Sequence, residues 1–374
     1  MFDRQLIFLA VVMLLTLFYA LGTRRRSQKL NCVAAVTILM TLFSGLRSWW
    51  MGDLIKYYTQ YLNCTGPNWQ EVVFGKLANV GIRVFFHYGN LIGLSYDACI
   101  FLIAAFSAIT LGVLIYRYSP SPYWSYLMYI AMGFFIFTFS GLKQTIAMGF
   151  ICIAMIGLLE GRFKMFLVWT LVGALFHAPA MIFLGAYPFA RKKPDSTYLL
   201  ILFALVVILY FFRNRIIEQL AELYYDDEQT LEATSRVGGR FLMMLFILAL
   251  GYYLRPLRTY DKQYGYVFNI MIVAAALQTF SIYDNVYTRL TDYYYQFVVL
   301  FVPMMLQDGK EQAYLMPEHK REIRYHARDL YILLSIGTTV FAIWYYRNYV
   351  NATQGLLNDF KFFWELDPYL LYGS

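Results

Sequence analysis

The sequence predicts an all-α, polytopic integral membrane protein with about eleven transmembrane helices plus a re-entrant helical hairpin (165–190), all in a single transmembrane domain, 1–374. Three observations predict it. Of the 374 residues, 60% are hydrophobic and only 14% charged, whereas a soluble domain is about half apolar and about a quarter charged. Apolar runs long enough to cross the hydrocarbon core as helix recur along the whole chain. The alternating pattern of a membrane β-strand is absent, and an open sheet cannot sit in lipid because its edge groups stay unpaired.

The clearest runs, in chain order, are 5–22, 30–46, 97–116, 122–139, 143–159, 196–213, 240–255, 264–283, 287–306 and 329–346. The first is followed by "TRRRSQK" with no small-residue cleavage site, so it reads as an anchor rather than a removed signal. Segment 165–190, "MFLVWTLVGALFHAPAMIFLGAYPFA", differs from the others because "HAP" interrupts it. Proline and the residue before it disfavour a continuous helix there. Each half then spans about 20 Å as helix, short of the roughly 30 Å core. Arg162 and Lys164 precede the segment and Arg191, Lys192 and Lys193 follow it, so both ends carry the positive charge that marks the cytoplasmic side. A hairpin that enters and leaves on that side satisfies both facts. With the N-terminus outside, it also puts the majority of Lys and Arg inside, whereas a single pass at 165–190 reverses the majority.

This topology places 47–96 (with the half-apolar, amphipathic stretch "EVVFGKLANVGIRVFFHYG"), 214–239 and the tail 347–374 outside, and the loop 307–329 in the cytoplasm. The net charge of +8 is mostly topological, and the basic residues are scattered over many loops, so nucleic acid is not expected as a partner. The four cysteines form no CxxC or Cys/His cluster, and neither a metal site nor a cofactor is expected.

Three cations lie at outer helix junctions, against the positive-inside trend: Arg47 in "FSGLRSWW", Lys143 in "SGLKQTIA" and Arg289 in "NVYTRLTDYYY". Lys143 follows Ser140 and Gly141, where a helix begins, and free amides with the helix dipole favour an anion there. Each cation alone has a plain alternative, snorkelling to lipid headgroups. Together they point to an anion pocket, with Arg suited to bidentate phosphate contact and Lys acting as a point charge. His177 at the hairpin break is a candidate general base, its alternative being a neutral ring satisfied by a backbone carbonyl. Asp53, Glu71, Asp284 and Asp292 are the outer acids nearest the cations, each able to orient a hydroxyl, act as base or pair with an Arg. The 34 tyrosines suit an interfacial aromatic belt as well as sugar rings.

Taken in order, these motifs resemble the EpsG family of bacterial polysaccharide gene clusters, relatives in role of Wzy polymerases. The family's "GxR" matches Gly45 to Arg47, its "GxDxxxY" has its counterpart in "GDLIKYY" (Gly52, Asp53 and Tyr57 or Tyr58, with Gly and Asp adjacent), and its "sGxRQxxA" corresponds to Ser140 to Ala147. Its "lfHxsa" run matches Ala174 to Ala180, and its late Arg with paired aromatics matches Arg289 with Tyr293 and Tyr294. Lys143 stands where the family has Arg, and no Thr follows Asp53. The resemblance implies a metal-independent glycosyltransferase in the bacterial inner membrane. It would polymerise polyprenyl-diphosphate-linked oligosaccharide repeat units of an exopolysaccharide or O-antigen on the outer face, alongside a flippase and a chain-length regulator. Carried onto this chain, Arg47, Lys143 and Arg289 would hold diphosphate, and His177 and Asp53 would be catalytic. Gln144, Tyr57, Asp292, Tyr293 and Tyr294 would bind or orient sugar. Two rivals are a membrane-bound O-acyltransferase acting on glycans and a flippase or transporter of the lipid-linked oligosaccharide.

Overall fold

A computed structural model describes residues 4–21, 26–48, 53–192, 239–254, 262–282, 285–315, 321–352 and 361–365, together with scattered helical positions between 197 and 215. Most of the expected segment 214–239, with Trp49, Trp50, Gly52 and Asp284, lies outside the described residues, as do most of the tail 347–374 and the side chains of 307–329. The described residues contain helices and no strand; their only extended pairing is an isolated bridge between Arg47 and Phe362.

The helices are α1 (Arg4–Leu21), α2 (Arg26–Gly45), α3 (Leu54–Asn63), α4 (Trp69–Phe74), α5 (Val80–Leu91), α6 (Tyr96–Tyr118), α7 (Pro122–Ala131), α8 (Phe134–Phe137), α9 (Leu142–Glu160), α10 (Phe163–Phe176) and α11 (Ala186–Arg191). They continue with α12 (Gly239–Leu254), α13 (Lys262–Gln278), α14 (Asn285–Tyr295), α15 (Val298–Leu315) and α16 (Arg321–Ala352). Four are long and apolar enough to cross a membrane, within Ser27–Gly45, Tyr96–Tyr118, Leu142–Glu160 and Lys262–Ser281, and Phe163–Phe176 and Gly239–Tyr252 are shorter apolar helices. The central helix is α9, whose span is 89% buried inside the protein against 33% for α2. Helix α6 lies between α2 and α9, and α10 runs along α9, with Phe150 stacked on Trp169 at 5.6 Å. Val168, Leu171 and Leu175 of α10 are exposed, the expected state of apolar side chains that face lipid.

Two expected continuous helices are broken. Run 122–139 divides into α7 and α8 at Gly133, whose φ of 84° only glycine adopts readily. Run 287–306 divides into α14 and α15 at Gln296 and Phe297. Farther along α15, Pro303 offers no N–H to the carbonyl of Val299 four residues back. Ser125 Oγ of α7 donates to that carbonyl at 2.6 Å, so the freed acceptor becomes a link between helices.

Segment 165–190 folds as α10, a break at His177, a 3₁₀ turn over Ala178–Gly185 and then α11. It begins beside the C-terminal end of α9, and Arg191 at its far end donates to the Leu158 carbonyl of that same end at 3.5 Å. Both limbs therefore start and finish at one end of the bundle. At this end Glu160 accepts from Arg117 at 2.5 Å and from Tyr118 at 2.7 Å and pairs with Arg162, while Lys29 donates to the Ser119 carbonyl at 2.6 Å.

At the opposite end a second apolar cluster joins the short helices to the long ones. Leu54, Tyr61, Val73, Ile82 and Phe86 pack with Tyr96, Cys99, Ile100 and Ile103 of α6 and with Leu142 and Ile146 of α9. The stretch 71–89 is not one surface helix as its pattern predicts. Asn79 breaks it in left-handed conformation, and α5 packs against α10. Buried Arg83 stabilises the break by donating to the main-chain carbonyls of Val73 (3.1 Å), Ala78 (2.8 Å) and Lys76.

Candidate functional site

The first turn of α9 supplies two of the expected residues. Gly141 is its N-cap and makes no side-chain bond, so the opening amides are not occupied by the cap. Lys143, half-buried, holds its ammonium 5.6 Å from the ring centroid of Tyr57, within cation–π range. Gln144 is buried, and its Nε2 donates to the main-chain carbonyl of Arg289 at 3.0 Å. This bond sets the second cation, on α14, beside the first.

His177 arrives from the hairpin. Its backbone is extended (φ −149°, ψ 100°) between α10 and the 3₁₀ turn, which swings the ring out of either helix. The ring is buried and its Nδ1 is hydrogen-bonded to the hydroxyl of Tyr293. Arg289 lies one turn before Tyr293 on α14, so the element that reaches His177 also carries this cation. Four separate pieces of chain thus meet: α3 through Tyr57, α9 through Lys143 and Gln144, the hairpin tip through His177, and α14 through Arg289 and Tyr293. The Nδ1 partner of His177 is a phenol hydroxyl.

The remaining expected residues are placed differently. Arg47 is buried; it donates to the main-chain carbonyls of Ser44 and of Thr138 (3.0 Å) and lies 5.3 Å from the Phe139 ring centroid. Its guanidinium ties α2 to the residues following α8, and it lies within electrostatic reach of Tyr96. Asp53 is the exposed N-cap of α3 and makes no cap bond. It precedes Tyr57 by one turn and so shares the face that covers Lys143. Asp292 pairs with Arg240 of α12 rather than standing free for a sugar hydroxyl, and Arg289 also acts on it. Tyr294 is buried and donates to the Ile182 carbonyl at 2.5 Å, so it secures the second limb of the hairpin. Glu71 lies in the first turn of α4. Among the described residues, no three His, Cys, Asp or Glu side chains group as metal ligands.

Arg240 was not singled out in the sequence, although the criterion that selected Arg289 also fits it: a cation opening an apolar helix at the outer end. Its guanidinium lies between Asp292 and the aromatic faces of Tyr295 (4.9 Å) and Phe134 (5.9 Å). Asn79 was also missed; its side-chain Oδ1 accepts from the backbone N–H of Ala178 at 3.2 Å.

A family model for the EpsG family matches residues 30–316, most of the chain and every element of this cluster. The chain belongs to the EpsG family. Membership makes it a membrane protein of polysaccharide synthesis, and with the apolar helices it makes the chain multi-pass. No curated protein and no solved structure matches the chain. In this member, Lys143 and Arg289 lie on two helices joined through Gln144, Tyr293 of the second reaches His177, and Arg47 is engaged by main chain.

Proposed function

We propose that the chain is a polymerase of surface polysaccharide, joining polyprenyl-diphosphate-linked oligosaccharide repeat units on the outer face of the bacterial inner membrane. The observation that carries this reading is the convergence of α3, α9, the hairpin tip and α14, tied together by the Lys143–Tyr57 contact, the Gln144–Arg289 bond and the His177–Tyr293 bond. Glycosyl transfer from a lipid diphosphate asks for cations and a base. The bond between the anomeric carbon and the phosphate oxygen breaks, and the diphosphate leaves with the electron pair. Lys143 and Arg289 meet that growing charge as prearranged electrostatics in place of a metal. The acceptor hydroxyl oxygen bonds to the anomeric carbon and gives up its proton. In this reading His177 takes it at Nε2, with Nδ1 engaged by the Tyr293 hydroxyl.

In this reading Tyr57, over Lys143, presents an aromatic face to a sugar ring, and Asp53 orients a hydroxyl. Arg47 acts on diphosphate only if its main-chain bonds are exchanged; in the described state it ties α2 to the residues after α8. The ten apolar runs, with 165–190 re-entrant and the N-terminus outside, put both termini and the His177 tip toward the outer surface. A flippase supplies the repeat units from inside, and a chain-length regulator acts alongside.

The experiment is replacement of Lys143 by Gln at equal protein level in cells that make the polysaccharide. Long polymer should disappear while single repeat units accumulate on the outer face. Normal chain length would defeat the reading. Accumulation of repeat units inside would support transport, and loss of acetyl mass from an otherwise normal polymer would support acyl transfer.

A further inference from the structure

The tip of the hairpin is held from outside the membrane helices. Asn79, between α4 and α5, is the only described non-glycine residue with positive φ, at 56°. Asparagine adopts this conformation at less cost than most residues. It also occupies the N-cap position of α5, where an Asn side chain normally accepts from its own helix, yet it makes no such bond. Instead Oδ1 takes the N–H of Ala178, the residue directly after His177. Asn79 itself is buried and Ala178 half-buried, so the bond is partly shielded from water. The neighbouring Gly81 fits tightly against the same tip: a Cβ on it would come within 2.9 Å of the Phe176 ring and 3.0 Å of the Leu175 carbonyl. The α4–α5 junction is therefore fitted to the last turn of α10 and to the break behind it.

We propose that Asn79 is a positioning residue for the reaction: by accepting from Ala178 N–H it fixes the chain break that turns His177 toward Lys143 and Arg289. The proposal rests on the reading of His177 as the group that takes the acceptor proton. It makes the α4–α5 segment part of the catalytic apparatus without contact with substrate. An ångström of drift at the tip moves the imidazole out of line, and misplacement of that size costs up to about 100-fold in rate.

Two substitutions separate geometry from general damage. Asn79→Gly keeps the left-handed backbone and removes the acceptor. Asn79→Asp keeps an acceptor and a side chain that tolerates the conformation. Repeat-unit joining is measured in membranes at matched protein level, with kcat and KM for the lipid-linked repeat unit, and amide exchange is followed in the peptide covering 175–182. Asn79→Gly should lower kcat about tenfold or more with little change in KM, and should speed exchange at Ala178. Asn79→Asp should recover most of both. The proposal is overturned if Asn79→Gly joins repeat units at the native rate, or if Asn79→Asp is no better than Asn79→Gly. His177→Gln serves as the control for the parent reading. If that variant remains active, the proton-accepting role fails, while exchange at Ala178 still reports whether Asn79 holds the tip.

Discussion

The Gln144 side-chain amide donates to the main-chain carbonyl of Arg289 at 3.0 Å, joining residues 145 positions apart. It therefore links the turn that carries Lys143 to the turn that carries Arg289. Gln144→Leu removes this part-buried bond between the two helices, at a cost of about 0.5–1.5 kcal/mol. A lower unfolding temperature in detergent and shorter polymer are expected together. Full chain length with an unchanged unfolding temperature would show that the bond does not set the spacing of the cations.

Arg240 and Asp292 form a partly buried ion pair between α12 and α14. Removing one partner strands the other charge, at a cost of about 3–5 kcal/mol, whereas replacing both with apolar residues is often near neutral. Asp292→Leu and Arg240→Met should each reduce the amount of folded protein. The double variant should recover it, as measured by size-exclusion profile and thermal unfolding. If the double variant is as poor as the singles, the pair does more than neutralise itself.

Ser125 and Pro303 should be coupled through a carbonyl that neither owns. Ser125→Ala leaves Val299 O unpaired and costs about 1–3 kcal/mol. Pro303→Ala restores a backbone N–H that can reach the same oxygen, so Ser125→Ala should cost less in that background. A thermal-unfolding double-mutant cycle checks this, with a coupling on the order of 1 kcal/mol expected. Strict additivity would mean that the serine bond is incidental.

Cys64, at the C-terminal end of α3 and outside the long helices, is fully buried. Burial pushes its thiol up to about 11, despite the opposing pull of the Arg83 guanidinium. Near neutral pH only a minute fraction is thiolate, the form that reacts. Maleimide applied to intact membranes should spare Cys64 at pH 7, with labelling rising only as pH climbs toward 11 or after denaturation. Rapid labelling at pH 7 would mean that the α3–α5 cap opens readily.

The parts of the molecule that depend on length and composition were legible in the sequence. Runs 30–46, 97–116, 143–159 and 264–283 correspond to the four helices suited to crossing a membrane, because apolar run length is itself the physical requirement. The break at "HAP" was legible because proline acts locally. Side-chain direction was not. Arg47 stands just past the end of α2, as expected, yet its guanidinium turns to Ser44 and Thr138, and no spacing rule encodes that choice. The left-handed turn at Gly133 was hidden because a glycine inside an apolar run is equally compatible with helix. The Arg240–Asp292 pair and the Asn79–Ala178 bond join distant residues, and a single sequence carries no sign of such partners.

The hairpin and its neighbours also dictate when the protein becomes competent. Tyr57, Lys143, His177 and Arg289 are spread over more than half of the chain, so no early fragment emerging from the ribosome contains the whole constellation. Until α14 follows its predecessors into the bilayer, Lys143 stands beside a histidine that lacks both its phenol and its second cation. In the proposed reading, assembly of the centre is therefore a late event of biogenesis, and a nascent chain stalled before residue 289 would be inserted yet unable to join repeat units.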